Sequence, residues 1–204
     1  NILPEGLKQH QKLEHNIITP TTKDIEDKPI TPEDIVKEGY MTATERNLVF
    51  DYARELFTAG QKSADNFGLI LVDTKYEFGK TSDGQIVLID ELHTCDSSRY
   101  WLKLTYEEKM AAGKSPDKLD KDQIRDWIKE QCDPYKDEIP TVPENVINRV
   151  TECYQEYYNR ITGTLDNYID DMDMESVKDM YFKDICNETC VILSGSVKDE
   201  KHVT

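Results

Sequence analysis

The sequence predicts an α+β fold in which an antiparallel β-hairpin is packed with several helices. Three observations carry this. An apolar run after a glycine, residues 69–72, continues through alternating residues to Phe78 and faces a second run, residues 85–91, across the turn sequence Thr81-Ser82-Asp83-Gly84. Helical start signals stand at Thr31-Pro32, at Thr42 with Glu45, and at Pro143, and the last two precede apolar residues spaced by three and four. No internal repeat is visible, so a solenoid is not expected.

Each element follows from its local signals. The first forty residues are loop-rich, with "ITPTTK" and "KPITPED" supplying proline and threonine punctuation. Thr31 as N-cap and Pro32 as first helical position open a short helix that Gly39 ends. Thr42 and Glu45 form a capping-box pattern before a long helix with Leu48, Tyr52, Leu56 and Ala64 near one face; Gly60 weakens it and Gly68 closes it. The two strands, 69–78 and 85–91, come next. After Trp101 the pattern turns helical: Asp120 caps a helix with Ile124, Trp127 and Ile128, and Pro143 opens another with Val146, Val150, Tyr154, Tyr157 and Ile161, which Gly163 ends. Residues 164–188 read as an acidic linker. In residues 189–204, "TCVILSGS" reads as a new strand running into a glycine turn.

Composition narrows the function. Of 204 residues, 25 are basic and 41 acidic, a formal charge of −16 that argues against a surface tracking nucleic-acid phosphates. No apolar run reaches membrane-spanning length, and the N-terminus carries neither a leader pattern nor an initiating methionine, which suggests a fragment or a processed chain. Five cysteines without a C-x-x-C pair suggest neither a disulfide framework nor a zinc site, so a reducing, cytoplasmic setting is expected. The glycosylation acceptor pattern Asn187-Glu188-Thr189 is idle in that setting.

The chemistry concentrates in the hairpin. In a strand Asp73, Lys75 and Glu77 share one face, and Val72, Thr74, Tyr76 and Phe78 the other. A two-residue turn pairs position 77 with 90, and a four-residue turn pairs 75 with 90; both put Asp90 on the charged face, and only a three-residue turn or a bulge reverses this. Carboxylates crowded on one patch repel unless a cation joins them. One or two carboxylates, completed by water and substrate phosphate, describe a magnesium site in phosphoryl transfer, with the lysine free to meet an anionic substrate group. Alternating charge is ordinarily just a strand's wet face. Here Asp96-Ser97-Ser98-Arg99 follows closely, adding hydroxyls and a guanidinium suited to an oxyanion.

"LILVDTKYEFG" and "DELHTCDSSRYW" closely resemble signature segments of the SAICAR synthetase family, and the resemblance extends from "LPEGLKQHQKL" and "ITPTTK" to about Gly163. It implies ATP-dependent condensation of L-aspartate with carboxyaminoimidazole ribonucleotide through an acyl phosphate, in purine biosynthesis. Carried over, Glu77 and Asp90 match positions that hold Mg2+ on ATP. Lys75 and Asp73 match positions beside the imidazole substrate, with Lys75 suited to the carboxylate to be activated. Asp96, Ser98 and Arg99 match the ribose-phosphate side, and Asp27 a substrate-contacting aspartate. The partners implied are these two substrates, with a homo-oligomer and a fused carboxylase domain as further candidates, and neither nucleic acid nor membrane.

The chain also departs from the family pattern. Glu26 replaces a histidine before Asp27, in a loop that reads as shortened, and Cys95 replaces a proline, removing a fixed φ. Cys95 has no partnered base and reads as a small neutral substitution; His93 reads as a hydrogen-bonded structural histidine rather than a metal ligand. The family's N-terminal Gly-Lys strand and its Arg-Gly-Tyr and Gly-Ser phosphate motif do not occur, so residues 1–163 are expected to be a synthetase's C-terminal portion, inactive alone. "CVILSGSVKDEKHV" resembles the first strand and phosphate loop of the AIR carboxylase family. The rivals are a non-catalytic binding or regulatory module and a kinase-like phosphotransferase; the latter lacks its His-Arg-Asp and Asp-Phe-Gly segments here.

Overall fold

The computed structural model describes residues 6–23 and 27–163. Glu26, the acidic linker and the strand expected near Cys190 lie outside the described residues. The elements run α1 (Pro32–Lys37), α2 (Ala43–Asn66), β1 (Leu69–Thr74), β2 (Phe78–Lys80), β3 (Ile86–Leu88), β4 (Ser98–Leu102), α3 (Lys103–Ala111), α4 (Asp122–Gln131) and α5 (Glu144–Thr162). Helices and antiparallel strand pairs make this an α+β fold.

The helix ends follow the capping signals. Thr31 accepts the amide of Asp34, with Pro32 in the first turn. At α2 the capping box is complete: the Thr42 hydroxyl accepts the Glu45 amide, and Glu45 accepts the Thr42 amide. Gly68 and Gly163 both take positive φ where α2 and α5 stop. Asp120 works one position off the expected cap: Lys121 is the N-cap of α4, while Asp120 Oδ1 accepts the Asp122 amide at 2.8 Å and Oδ2 accepts that of Tyr100 at 3.1 Å.

The strands pair differently from the expected hairpin. β1 does not continue to Phe78 and does not face residues 85–91; it pairs with β4, antiparallel, Leu69 opposite Leu102 and Thr74 opposite Ser98. The sequence reading had no strand at β4. β2 and β3 form a separate two-stranded ribbon with Lys80 opposite Ile86. Its turn has three residues, because Thr81 and Gln85 close the loop through Thr81 N–H to Gln85 O at 2.9 Å. That is the turn length that removes the expected alignment of Asp90 with Glu77. A register shift between Leu71 and Asp73 further re-aims β1.

The core forms where α2, β1 and β4 meet. Ala64, Leu69, Leu71, Tyr100 and Leu119 are buried together, with Phe57, Phe67, Cys153 and Tyr157 packed around them. Burial at this level stabilises each Leu by about 1.5–3 kcal/mol relative to exposure. On α2 the buried positions are Val49, Gly60 and Ala64, whereas Leu48 is on the exposed side. The ribbon is tied to α2 by Lys80 on Glu45 at 2.6 Å, and this ammonium, with the capping bonds, brings the Glu45 carboxyl down to about 2. No helix among the described residues is long and apolar enough to cross a membrane.

Candidate active site

The link between β1 and β2, residues 75–77, builds the first half of the site. Its backbone stays docked through Lys75 N–H to Ser97 O at 3.2 Å. Lys75 Nζ then reaches Asp27 at 2.9 Å and Glu77 at 3.0 Å, while Lys23 binds the other carboxylate oxygen of Glu77. Glu77 is recessed, its side chain 12% exposed against 73% for Lys23. The Lys23 ammonium, followed by Lys75, holds the Glu77 carboxyl below its usual range. Asp27, then Glu77, raises the Lys75 ammonium. This is a compact cluster of paired charges, recessed at Glu77 and open to solvent on its lysine side.

Arg99 organises the second half. The β1–β4 ladder sets it opposite Asp73, which its Nη1 contacts, and its Nε donates to Asp122 at 2.6 Å. The guanidinium is thus oriented from two sides while 44% exposed. Asp96 pairs with Lys121 at 2.9 Å. Ser98 turns inward, buried, with Oγ 2.8 Å from Thr74 Oγ1.

Of the residues expected at the site, the fold therefore brings Lys75, Glu77 and Asp27 into one cluster and Asp73 and Arg99 into another. Asp90 is apart from both sets of contacts: it follows β3 by two residues, is exposed, and accepts the Glu91 amide at 2.9 Å. Among the described residues no group of three or more His, Cys, Asp or Glu side chains is arranged to hold a metal ion. Sequence reasoning missed Lys23 and Asp122. Lys23 closes the quoted "ITPTTK" segment, but nothing local signals that its partner is Glu77.

The loop between β3 and β4 is held by His93. Its ring is buried, with Nε2 hydrogen-bonded to the Tyr76 hydroxyl, and burial lowers its pKa to about 4, so it is neutral at pH 7. Its carbonyl accepts the hydroxyls of Tyr100 at 2.7 Å and Tyr157 at 2.6 Å. This bears out a structural histidine. Burial pushes the Cys95 thiol up, away from a reactive thiolate. Cys95, Cys132 and Cys153 are free thiols.

A family model described as SAICAR synthetase matches residues 1–142. A phosphoribosylaminoimidazole-succinocarboxamide synthase of Legionella pneumophila (strain Lens) is 51% identical over 162 residues, covering 78% of this chain and 52% of that protein. Among solved structures, a SAICAR synthase from Saccharomyces cerevisiae complexed with SAICAR aligns at TM-score 0.61 and 31% identity, over 78% of this chain and 50% of that one. A type-2 SAICAR synthetase in complex with ADP aligns at TM-score 0.57 and 27% identity, over 77% and 55%. The chain belongs to the SAICAR synthetase family. It spans about half the length of the curated relatives it matches.

Proposed function

We propose that this chain carries the substrate-activating part of an ATP-dependent ligase that condenses L-aspartate with carboxyaminoimidazole ribonucleotide in the cytoplasm. The observation that carries the reading is the Lys23, Lys75, Glu77 and Asp27 cluster lying on the link that leaves β1, whose Asp73 anchors Arg99. The ADP-bound and SAICAR-bound relatives support it.

In this reading the γ-phosphoryl group of ATP passes to the carboxylate of the imidazole substrate, releasing ADP. The amine of L-aspartate then attacks the acyl phosphate carbon, the C–N bond forms, and inorganic phosphate leaves with the amine proton passed to solvent. Lys75 holds the substrate carboxylate as a point charge while that carboxylate is converted to the acyl phosphate. Asp73 and Asp122 hold Arg99 rigid for the ribose-phosphate side, which Asp96 flanks, while Ser98, buried on Thr74, braces the strand from within rather than meeting the substrate. Asp27 fixes Lys75 and turns toward substrate.

Glu77 and Asp90 each offer hard carboxylate oxygens of the kind that bind Mg2+ alongside water and phosphate, but in this arrangement the two do not meet: the Glu77 oxygens are held by Lys23 and Lys75, and Asp90 stands apart. Each would reach the ion only as a separate ligand beside the nucleotide phosphates, whose charge the ion would neutralise. The test is ADP release by the enzyme that carries this chain, with MgATP, the imidazole carboxylate and L-aspartate. Each component is required, and Lys75→Ala lowers turnover by about 10²-fold or more. ADP release indifferent to either co-substrate contradicts the reading; nucleotide binding without turnover supports a binding module instead.

A further inference from the structure

His93 lies midway between Asp90 and Asp96, and its φ is +55°. A non-glycine residue adopts this left-handed conformation only where its surroundings over-determine it. Here they do, from three elements and the link between β1 and β2. Its ring occupies a slot on α2 opened by Gly60, where a Cβ would sit 2.3 Å from the ring's Cε1. Its carbonyl is fixed by Tyr100 on β4 and Tyr157 on α5. Its Nε2 holds the Tyr76 hydroxyl, the two rings meeting edge-on with centroids 5.5 Å apart.

Tyr76 stands between Lys75 and Glu77. Both are bonded to it through the backbone of a three-residue link, so gripping Tyr76 fixes where that backbone carries its two charged neighbours. The same histidine fixes the loop that carries Asp90 and Asp96. A displacement of about 1 Å at a reacting group can cost on the order of 10²-fold in rate.

We propose that His93 is a positioning residue: seated in the Gly60 slot, it grips Tyr76 and so sets Lys75, Glu77 and the 90–97 loop in one geometry. The proposal rests on the reading above that Lys75 and Glu77 meet the substrates. It also gives Gly60 a purpose beyond its poor helix propensity, since alanine there would drive the ring out of its slot.

The test combines four variants with two readouts. In the enzyme that carries this chain, His93→Ala lowers kcat by about 10²-fold and Tyr76→Phe by about tenfold, while KM for MgATP moves less than about threefold. His93→Gln keeps a side-chain nitrogen within reach of Tyr76 and recovers about tenfold of the loss. Gly60→Ala reproduces the His93→Ala loss and adds nothing in the His93→Ala background. By hydrogen exchange on this chain, Tyr76→Phe accelerates the Lys75, Ile89 and Ser98 amides, which bond Ser97, Glu77 and Thr94, without changing Tm. Losses of kcat that track the folded fraction alone, or independent addition of Gly60→Ala and His93→Ala, overturn the proposal. Should the unmutated enzyme show no turnover, the functional reading fails, and exchange decides by itself: unchanged amides after Tyr76→Phe overturn the positioning role.

Discussion

His93 and Glu77 are both withdrawn from solvent, and the fold fixes the charge of each differently. Glu77 is kept ionised by two lysines, whereas His93 is kept neutral by burial. For His93 the unfolded chain binds more protons between the ordinary histidine value and about 4, so stability rises with pH across that window and is lost as pH falls through it. The loss attributable to His93 is on the order of 3 kcal/mol by pH 4. Urea titrations from pH 7 to 4 should show it, and His93→Gln should flatten the curve relative to the unmutated chain. The residue's structural role was legible in the sequence, but its left-handed backbone and the slot at Gly60 were not. Both depend on α2 meeting a loop more than thirty residues away in sequence, and no local pattern encodes that contact.

Helices α1, α2 and α5 were legible because their ends are written locally: a threonine hydroxyl and a following carboxylate, a first-turn proline, and glycines able to take positive φ. Thr42→Ala should therefore cost about 1 kcal/mol, read from the denaturation midpoint, because the Glu45 amide at the start of α2 loses its acceptor. The strands were harder. β4 is five residues long and begins inside a polar cluster, so "SRYWL" carries no alternation signal of its own. The pairing of β1 with β4 is a long-range choice that places Leu71 against Tyr100. Leu71→Ala should cost about 2–5 kcal/mol, more than Leu48→Ala on the exposed side of α2, and chemical denaturation of the two variants would separate them. The ribbon's register turned on one residue of loop length: three residues between Thr81 and Gln85, where two or four would have set Asp90 on the charged face.

Taken as one molecule, the described chain gathers its charge chemistry on and beside β1 and β4: the Glu77 cluster on the link that leaves β1, and Arg99 of β4 between Asp73 and Asp122. Leu69 and Leu71 of β1 and Tyr100 of β4 belong to the core, so the strands that support the fold also present the site. The charged residue types were legible, since carboxylates and lysines alternating after an apolar run are unusual for a strand that enters a core. Their partners Lys23 and Asp122 were not, because ion pairs across distant segments leave no mark in local sequence. The central claim is that Glu77 serves chemistry rather than folding. Both of its lysine partners are largely solvated, so losing the carboxylate charge should cost at most about 1 kcal/mol. The most direct measurement is turnover and thermal midpoint together for Glu77→Gln in the enzyme that carries this chain. A fall in kcat of about 10²-fold or more, with Tm shifted by less than about 4 °C, is the predicted result. Unchanged turnover, or turnover lost only in step with stability, would contradict it.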